Sequence, residues 1–407
     1  MIYQNTTLES GLRIVHMPVN SPVFYCGFAI NTGSRDESEE IFGMAHFTEH
    51  MIFKGTKKRS SYNILNRMER VGGDLNAYTS KEETFVYSIF LKENFDRACQ
   101  LLCDLVVNST FPAKEIEKEV GVIVDEINSY RDNPPEMIYD EFENMIFAGH
   151  SMGHNILGDE KTLESFDSAK GVSFLKERYI PEKMVFFTMG DLPFDSIVKS
   201  VAKYYEPDSK SNHPVPKREM PEEYNKAFRK EELDTYQSHV IIGGRAYNMF
   251  DEKRYSLALL NNILGGPGMN SRLNVSMREK RGYVYNVESV YTPYTDTGVF
   301  SIYFGSDQKK TEKCISLINS ELKTLRDKKL SSIELERAKR QIKGQLGVAT
   351  DNRENVCMNM AKAFLHFNKY DSLETVCKEI DAVTESQILE CANEIMDDSK
   401  LSTLIFQ

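Results

Sequence analysis

The stretch GMAHFTEHMIFKGT, residues 43–56, sets His46 and His50 four residues apart with Glu49 between them, in a run otherwise dominated by Met, Phe, Ala and Ile. Only 8 histidines occur among the 407 residues. On a helix over 42–54, closed by Gly55 as its C-terminal cap, His46 and His50 share one face with Glu49 beside them. Met44, Phe47 and Met51 then fall on the opposite face. Such a helix is apolar enough to be buried, yet it carries three ionisable groups, and burying them without partners is costly. A divalent metal would supply the partner. Neutral imidazoles at i and i+4 form a common zinc-binding pair, and a carboxylate three residues after the first can reach a water on the metal without entering the coordination sphere. The inverted order H-x-x-E-H is found in zinc peptidases. The bland alternative is a partly exposed helix with solvated His and Glu.

A catalytic zinc needs a third protein ligand and an open fourth position. The segment AKEIEKEVGVIVDEINSY offers Glu126, and Glu119 lies seven residues earlier on the same helix face. One acid on such a stripe can bind the metal while the other supports the ligands from behind; taken alone, the stripe would be a solvated face. His150 and His154 in GHSMGHN repeat the i, i+4 spacing, but Gly149 and Gly153 make that segment a loop. Cys99 and Cys103 share a helix face and read as buried packing.

These residues need elements to hold them. Hydrophobic periodicity predicts strands near 12–17, 23–31, 74–79, 84–91 and 184–189, with helices near 61–71, 94–108, 113–131, 135–147 and 194–205. In the second half it predicts strands near 238–245, 285–292, 298–305 and 401–406. The proline-rich stretch EPDSKSNHPVPKREMPEEY reads as a linker. The chain therefore divides into a domain at 1–208, a linker at 209–222 and a domain at 223–407. TFVYSIFLKENFDRACQLLCDLV in the first half and GVFSIYFGSDQKKTEKCISLINSEL in the second share the order strand, turn, helix, and each leads into another charged helix. Two such matches in register indicate duplication. Strands follow strands and helices come in runs, so the expected class is α+β: two tandem homologous domains, each a mainly antiparallel sheet covered by helices.

The net charge of −11 and pI near 5.4 argue against a nucleic-acid partner. The polar N-terminus lacks a signal-peptide core, and no run of about 18 apolar residues suggests a membrane span. The 7 scattered cysteines are unlike a disulfide framework, so a reducing cytoplasm is expected.

HFTEHMIFKGT, GGDLNAYTSKEETFVYS and EKEVGVIVDEI together resemble the pitrilysin-type zinc peptidases, especially the mitochondrial-processing-peptidase-like branch, and the similarity covers nearly the whole chain. The resemblance implies one Zn2+ per chain on His46, His50 and Glu126, with Glu49 as general base and Glu119 behind the ligands. It assigns DLNAYTS to an edge strand on which a peptide is laid, with Asn76 and Ala77 at the contacting positions. The second half has no H-x-x-E-H. It carries LGGPGMNSRLNVSMREKRGYVYNVESVY, in which Arg278 and Tyr285 match a family pair, seven residues apart, that contacts substrate and the developing oxyanion. Arg281 and Tyr283 are decoys for that pair. In four-domain relatives the metal and the Arg/Tyr pair come from different domains. The resemblance thus implies a homodimeric zinc endopeptidase with composite sites and a peptide substrate. A catalytically silent scaffold subunit and a closed structural zinc site are the other readings.

Overall fold

The computed structural model describes residues 3–207, 217–222, 224–233 and 235–407. Contacts group the chain into two units. The first comprises Met1–Ser129, His154–Glu219 and Asn352–Tyr370; the second comprises Tyr130–Gly153, Met220–Asp351 and Asp371–Gln407. Among the described residues no helix is long and apolar enough to cross a membrane.

The first unit is built on β1 (Gln4–Thr7), β2 (Arg13–Pro18), β3 (Val23–Ile30), β4 (Asp74–Thr79), β5 (Thr84–Leu91) and β6 (Met184–Gly190). They form one sheet in the order β1-β2-β6-β3-β5-β4, antiparallel except for the β2–β6 pair. Its helices are α1 (Met44–Met51), α2 (Ser61–Glu69), α3 (Phe95–Asn108) and α4 (Ala113–Arg131), whose last turn passes into the second unit.

The second unit begins with α5 (Pro134–Ile146). The chain then returns to the first for α6 (Glu160–Glu164), α7 (Ser168–Arg178) and α8 (Phe194–Tyr204). The second sheet holds β7 (Phe228–Glu231), β8 (Ser238–Ala246), β9 (Val284–Pro293), β10 (Gly298–Ser306) and β11 (Ser402–Phe406), in the order β7-β11-β8-β10-β9. Only β7–β11 is parallel. Around it lie α9 (Arg254–Gly265), α10 (Thr311–Asp327), α11 (Ser332–Ala349), α13 (Leu373–Ala382) and α14 (Glu385–Ile395), while α12 (Arg353–Phe367) belongs to the first unit.

The two sheets match strand for strand: β2, β6, β3, β5 and β4 occupy the places of β7, β11, β8, β10 and β9, with the same parallel and antiparallel pairings. VYSIF and VFSIY, the pattern that signals duplication in the sequence, fall on β5 and β10, each one strand in from an edge. The expected α+β duplication is therefore what the chain folds into.

Both faces of the first sheet are buried. Phe24, Phe28 and Ile30 on one face pack with Phe47 of α1 and Leu101 and Leu102 of α3, while Val15, Phe85 and Phe187 on the other meet Val356, Met360 and Phe364 of α12. A sheet buried on both sides needs an apolar layer on each, and α12 supplies the second from late in the chain. In the second unit the reciprocal layer is α5, whose Ile138, Phe142 and Ile146 cover Ile241, Val299 and Leu404. Cys99 and Cys103 are buried in the first core, as packing residues should be.

Three features depart from expectation. Helix α1 is shorter than 42–54, and Ile52, in right-handed helical geometry, follows its last residue. Gly55 does not cap it; it makes an isolated antiparallel bridge with Ser60. Finally, residues 209–216 of the expected linker lie outside the described residues; beyond them Arg218 forks onto Asp36 with bonds of 3.1 and 2.8 Å.

Helix α12 is held by charge as well as by its apolar face. The buried Glu83 carboxylate accepts from His366 Nε2 at 2.7 Å and Ser80 Oγ at 2.8 Å, and Lys362 Nζ lies 3.0 Å away. Burial pushes this carboxyl up, but His366, Lys362 and Ser80 outweigh it and bring it down from 4.5 to about 2. A depressed carboxyl contributes stability above its unfolded pKa and loses it as pH falls through the folded one. Glu83 should therefore contribute about 3 kcal/mol at neutral pH, lost between pH 4.5 and about 2. Urea unfolding of wild type and Glu83→Gln should show a constant stability gap above pH 4.5 that narrows as pH falls. A gap of the same size at all pH values would exclude the carboxylate as its source.

Candidate metal centre

The first turn of α1 starts from Gly43, whose φ of +94° is left-handed and suits glycine. Met44, Ala45, Phe47 and Met51 point into the core and fix the rotation of the helix. That rotation leaves His46 and His50 on the remaining stripe, with ring centroids 4.6 Å apart. His46 is 8% exposed. Burial, and secondarily His50, pushes its imidazole down to about 3, so it is neutral at physiological pH, the form that ligates metals.

Helix α4 presents Glu119, Ile123 and Glu126 to this stripe; Ile123 is buried in the core and holds the helix in place. Glu126 Oε2 lies 3.8 Å from His46 Nε2 and 3.8 Å from His50 Nε2. These distances are too long for hydrogen bonds. They are close to the spacing of about 3.4 Å between ligand atoms around a tetrahedral zinc. The ligand atoms of His46, His50 and Glu126 all lie within 4.8 Å of one another, a three-residue group among the described residues. The buried His46 Nδ1 has no hydrogen-bond partner among the described residues, so hydrogen bonding does not account for this ring's place. Two neutral imidazoles and a carboxylate are a donor set for zinc, and the residues fit the ion.

Behind these three residues, His50 Nδ1 lies 3.1 Å from Glu119 Oε2, and Lys54 Nζ lies 2.7 Å from Glu119 Oε1. The carboxylate thus sets the imidazole's orientation and has its own charge paired by lysine. Glu49 Oε2 accepts a 2.6 Å hydrogen bond from Thr79 Oγ1. Burial pushes the Glu49 carboxyl up and Glu126 adds to this, while Thr79 and His50 pull it down.

Thr79 ends β4, which is an edge strand and packs against α1. Asn76 and Ala77 lie in its middle, paired with Tyr87 and Val86 of β5, so among the described residues the opposite edge of the strand has no neighbour in the sheet. The first unit therefore brings His46, His50, Glu126, Glu119 and Glu49 together, with Asn76 and Ala77 on the strand beside α1.

Arg278 and Tyr285 lie in the second unit. Arg278 belongs to a π-helical turn, Asn274–Glu279, and Tyr285 is the second residue of β9. The guanidinium carbon stands 5.8 Å from the tyrosine ring centroid, and Tyr285 is 85% exposed. A cavity of about 270 Å³ beside them is lined by Gly265, Gly266, Gly268, Asn274, Arg278 and Asn286. Gly265 is needed there because a Cβ would come within 2.6 Å of the Ser289 amide nitrogen. Arg281 instead donates to the Ser276 carbonyl, and Tyr283 lies under Lys310.

His150 and His154 do not form a ligand pair. His150 Nδ1 accepts from the Met152 amide, whereas His154 Nε2 lies 2.9 Å from Glu37. Lys54 and Thr79 are functional neighbours that sequence reasoning passed over. Lys54 follows His50 by four residues, a spacing that would have revealed it.

Residues 16–160 match the insulinase family, peptidase family M16, and residues 169–342 match the family's inactive domain. A zinc protease of Bacillus subtilis is 34% identical, covering 98% of this chain and 97% of its own length. One from Rickettsia bellii is 34% identical over 98% and 96%, and one from Streptomyces coelicolor 30% identical over 97% and 87%. A protease from Helicobacter pylori shares the fold with a TM-score of 0.93 at 21% identity, covering 100% of this chain and 99% of that one. A peptidase M16 inactive domain from Pseudomonas fluorescens does so at 0.91 and 20%, covering 100% and 98%. With relatives this similar over nearly its full length, the chain belongs to the insulinase family of peptidases, M16.

Proposed function

We propose that the protein is a zinc-dependent endopeptidase of the mitochondrial-processing-peptidase-like branch, acting on peptides or unfolded segments enclosed in a chamber. The observation that carries this reading is the convergence of His46, His50 and Glu126 within 4.8 Å, a group of three that leaves a fourth position for substrate or water. Domain 1–208 would hold one zinc ion, and domain 223–407, beyond the 209–222 linker, would supply Arg278 and Tyr285. The absence of disulfides among the described cysteines suits a reducing cytoplasm.

A bound zinc supplies a Lewis acid that polarises the scissile carbonyl and acidifies the attacking water. Glu49 takes the water's proton and passes it to the leaving amine. Thr79 holds Glu49 in place, and as the last residue of β4 it ties the base to the strand that receives substrate. Main-chain groups of that edge, around Asn76 and Ala77, bind an extended peptide as an added strand, largely independent of its sequence. Arg278 and Tyr285 donate to the developing oxyanion.

Glu49→Gln should lower peptide turnover by about 10²–10⁴-fold and leave zinc bound. His50→Ala and Glu126→Ala should lose both activity and metal. Zinc content by atomic absorption, alongside hydrolysis of a quenched fluorescent peptide, reads these outcomes. A Glu49→Gln protein without zinc, or with near-native turnover, would show the roles to be wrong. Zinc without any turnover in the wild type would favour a structural site.

The Arg/Tyr pair is proposed to act in trans, within a homodimer whose two sites each combine His46, His50 and Glu126 of one protomer with Arg278 and Tyr285 of the other. Glu49→Gln chains mixed with Tyr285→Phe chains should then regain activity well above either parent, because the mixed dimer contains one site with both groups intact. If the pair acts in cis, every site keeps a defect and mixing restores nothing.

A further inference from the structure

Helix α1 has 8 residues, and His46 lies in its first turn. So short a helix does not hold itself together, while metal affinity demands that both imidazoles be held to within about 0.5 Å. The His50 end is tied through Glu119 and Lys54. At the other end the N-cap residue is Gly43, which has no side chain to satisfy the exposed amides. Glu37 does so from outside the helix. Its carboxylate is 0% exposed and accepts from the Gly43 amide at 2.8 Å through Oε2 and from the Ala45 amide at 2.6 Å through Oε1. Ala45 immediately precedes the ligand His46.

Glu37 is gripped in turn. His154 Nε2 lies 2.9 Å from the same Oε2, and the His154 ring stacks on Phe42 at 3.7 Å with planes 9° apart. Lys81, in the turn between β4 and β5, donates to the His154 carbonyl. The segment 154–158 comes close enough that a Cβ on Gly158 would meet the Phe42 carbonyl at 2.3 Å. Three segments, 37–45, 79–83 and 154–158, thus meet at the start of α1.

We propose that Glu37, clamped by His154, is the positioning residue of the metal helix: by holding the amides of Gly43 and Ala45 it sets the angle at which α1 presents His46 to the ion. A carboxylate at a helix N-terminus also complements the helix dipole. This rests on the zinc reading given above. It gives His154 a role that its spacing from His150 does not suggest, since His154 acts on the metal helix and not on the metal.

The test measures zinc affinity, by competition with a chromophoric chelator, and the visible absorption of the cobalt-substituted protein, which reports ligand geometry. Glu37→Gln keeps the side chain's shape but turns one acceptor into a donor facing an N–H. It should bind zinc about 10–100-fold more weakly and shift the cobalt bands, without loss of folded protein by circular dichroism. His154→Leu, which loses the donor but keeps an apolar face for Phe42, should weaken zinc in the same direction. His154→Gln, which keeps an N–H donor, should restore most of the affinity. If Glu37→Gln does not fold, the His154 pair decides. Wild-type affinity and an unshifted cobalt spectrum in the folded variants, even with a lowered thermal midpoint, would reduce the clamp to a structural contact and overturn the inference. Failure of the wild type itself to bind zinc through His46 would overturn the zinc reading instead.

Discussion

Three carboxylates, Glu49, Glu119 and Glu126, converge on two imidazoles at the junction of α1 and α4, and the charge of that group is the constraint around which the first unit is organised. Lys54 neutralises Glu119. Burial pushes the Glu49 carboxyl up, and the nearby Glu126 adds to that push. His46 cannot answer them by taking a proton, because burial holds it neutral. A group left in that condition costs several kcal/mol, and a divalent cation between the imidazoles and Glu126, as proposed above, would offset it.

Holding such a group together requires rigid supports, and the sheet provides them. Helix α1 packs on β4 and β5, and α3 packs on β3 and β5, so α1 rests on an edge strand whose neighbour, β5, is buried on both faces. The far face is closed by α12, which is separated from those strands by more than half the chain. The second unit is closed in the same way by α5. Each sheet thus completes its layers with a helix encoded in the other half of the sequence. The unit that holds His46, His50 and Glu126 is consequently not finished until residues beyond 352 have been made and have packed.

Much of this was legible in the sequence because it rests on local periodicity. The alternation in β4 and β5, the apolar run of β6 and the stripe on α4 each read as the elements they form, and the spacing of H-x-x-E-H put His46, Glu49 and His50 on one stripe of α1. What escaped has specific causes. Strands β1 and β7 are short and polar, QNTT and FRKE, and lie at sheet edges where no apolar alternation is demanded. Helix α7 is only weakly amphipathic, and its Gly171 reads as a breaker. That glycine is there because the Phe111 ring occupies the space, 2.4 Å from where a Cβ would stand. Which sheet α5 and α12 would cover has no local signature, since an apolar helix face carries no address. The Glu37 clamp is hidden for a related reason: its partners lie at 43, 45 and 154, joined by loop geometry alone.

The duplication sets the candidate metal stripe of one repeat beside its counterpart in the other. Strand β9 stands where β4 stands, at the edge of its sheet and paired to the strand bearing the repeated motif, and α9 leads into it as α1 and α2 lead into β4. The strand order is therefore the same in both, and one difference lies in the side chains of a helix before the edge strand. Where α1 carries HFTEH, α9 carries RYSLALLNNILG, with no pair of histidines and no acid. The equivalent of the metal stripe has become leucine packing and two asparagines, and the glycines that follow open a cavity beside β9 in place of a charged cleft. The second repeat instead puts an exposed tyrosine near the start of that edge strand and an arginine in the π-helical turn before it. A buried cluster of ligands must be supported from all sides, whereas Tyr285 and Arg278 need only a rigid strand and turn beneath them. Duplication supplies the second without the constraints of the first.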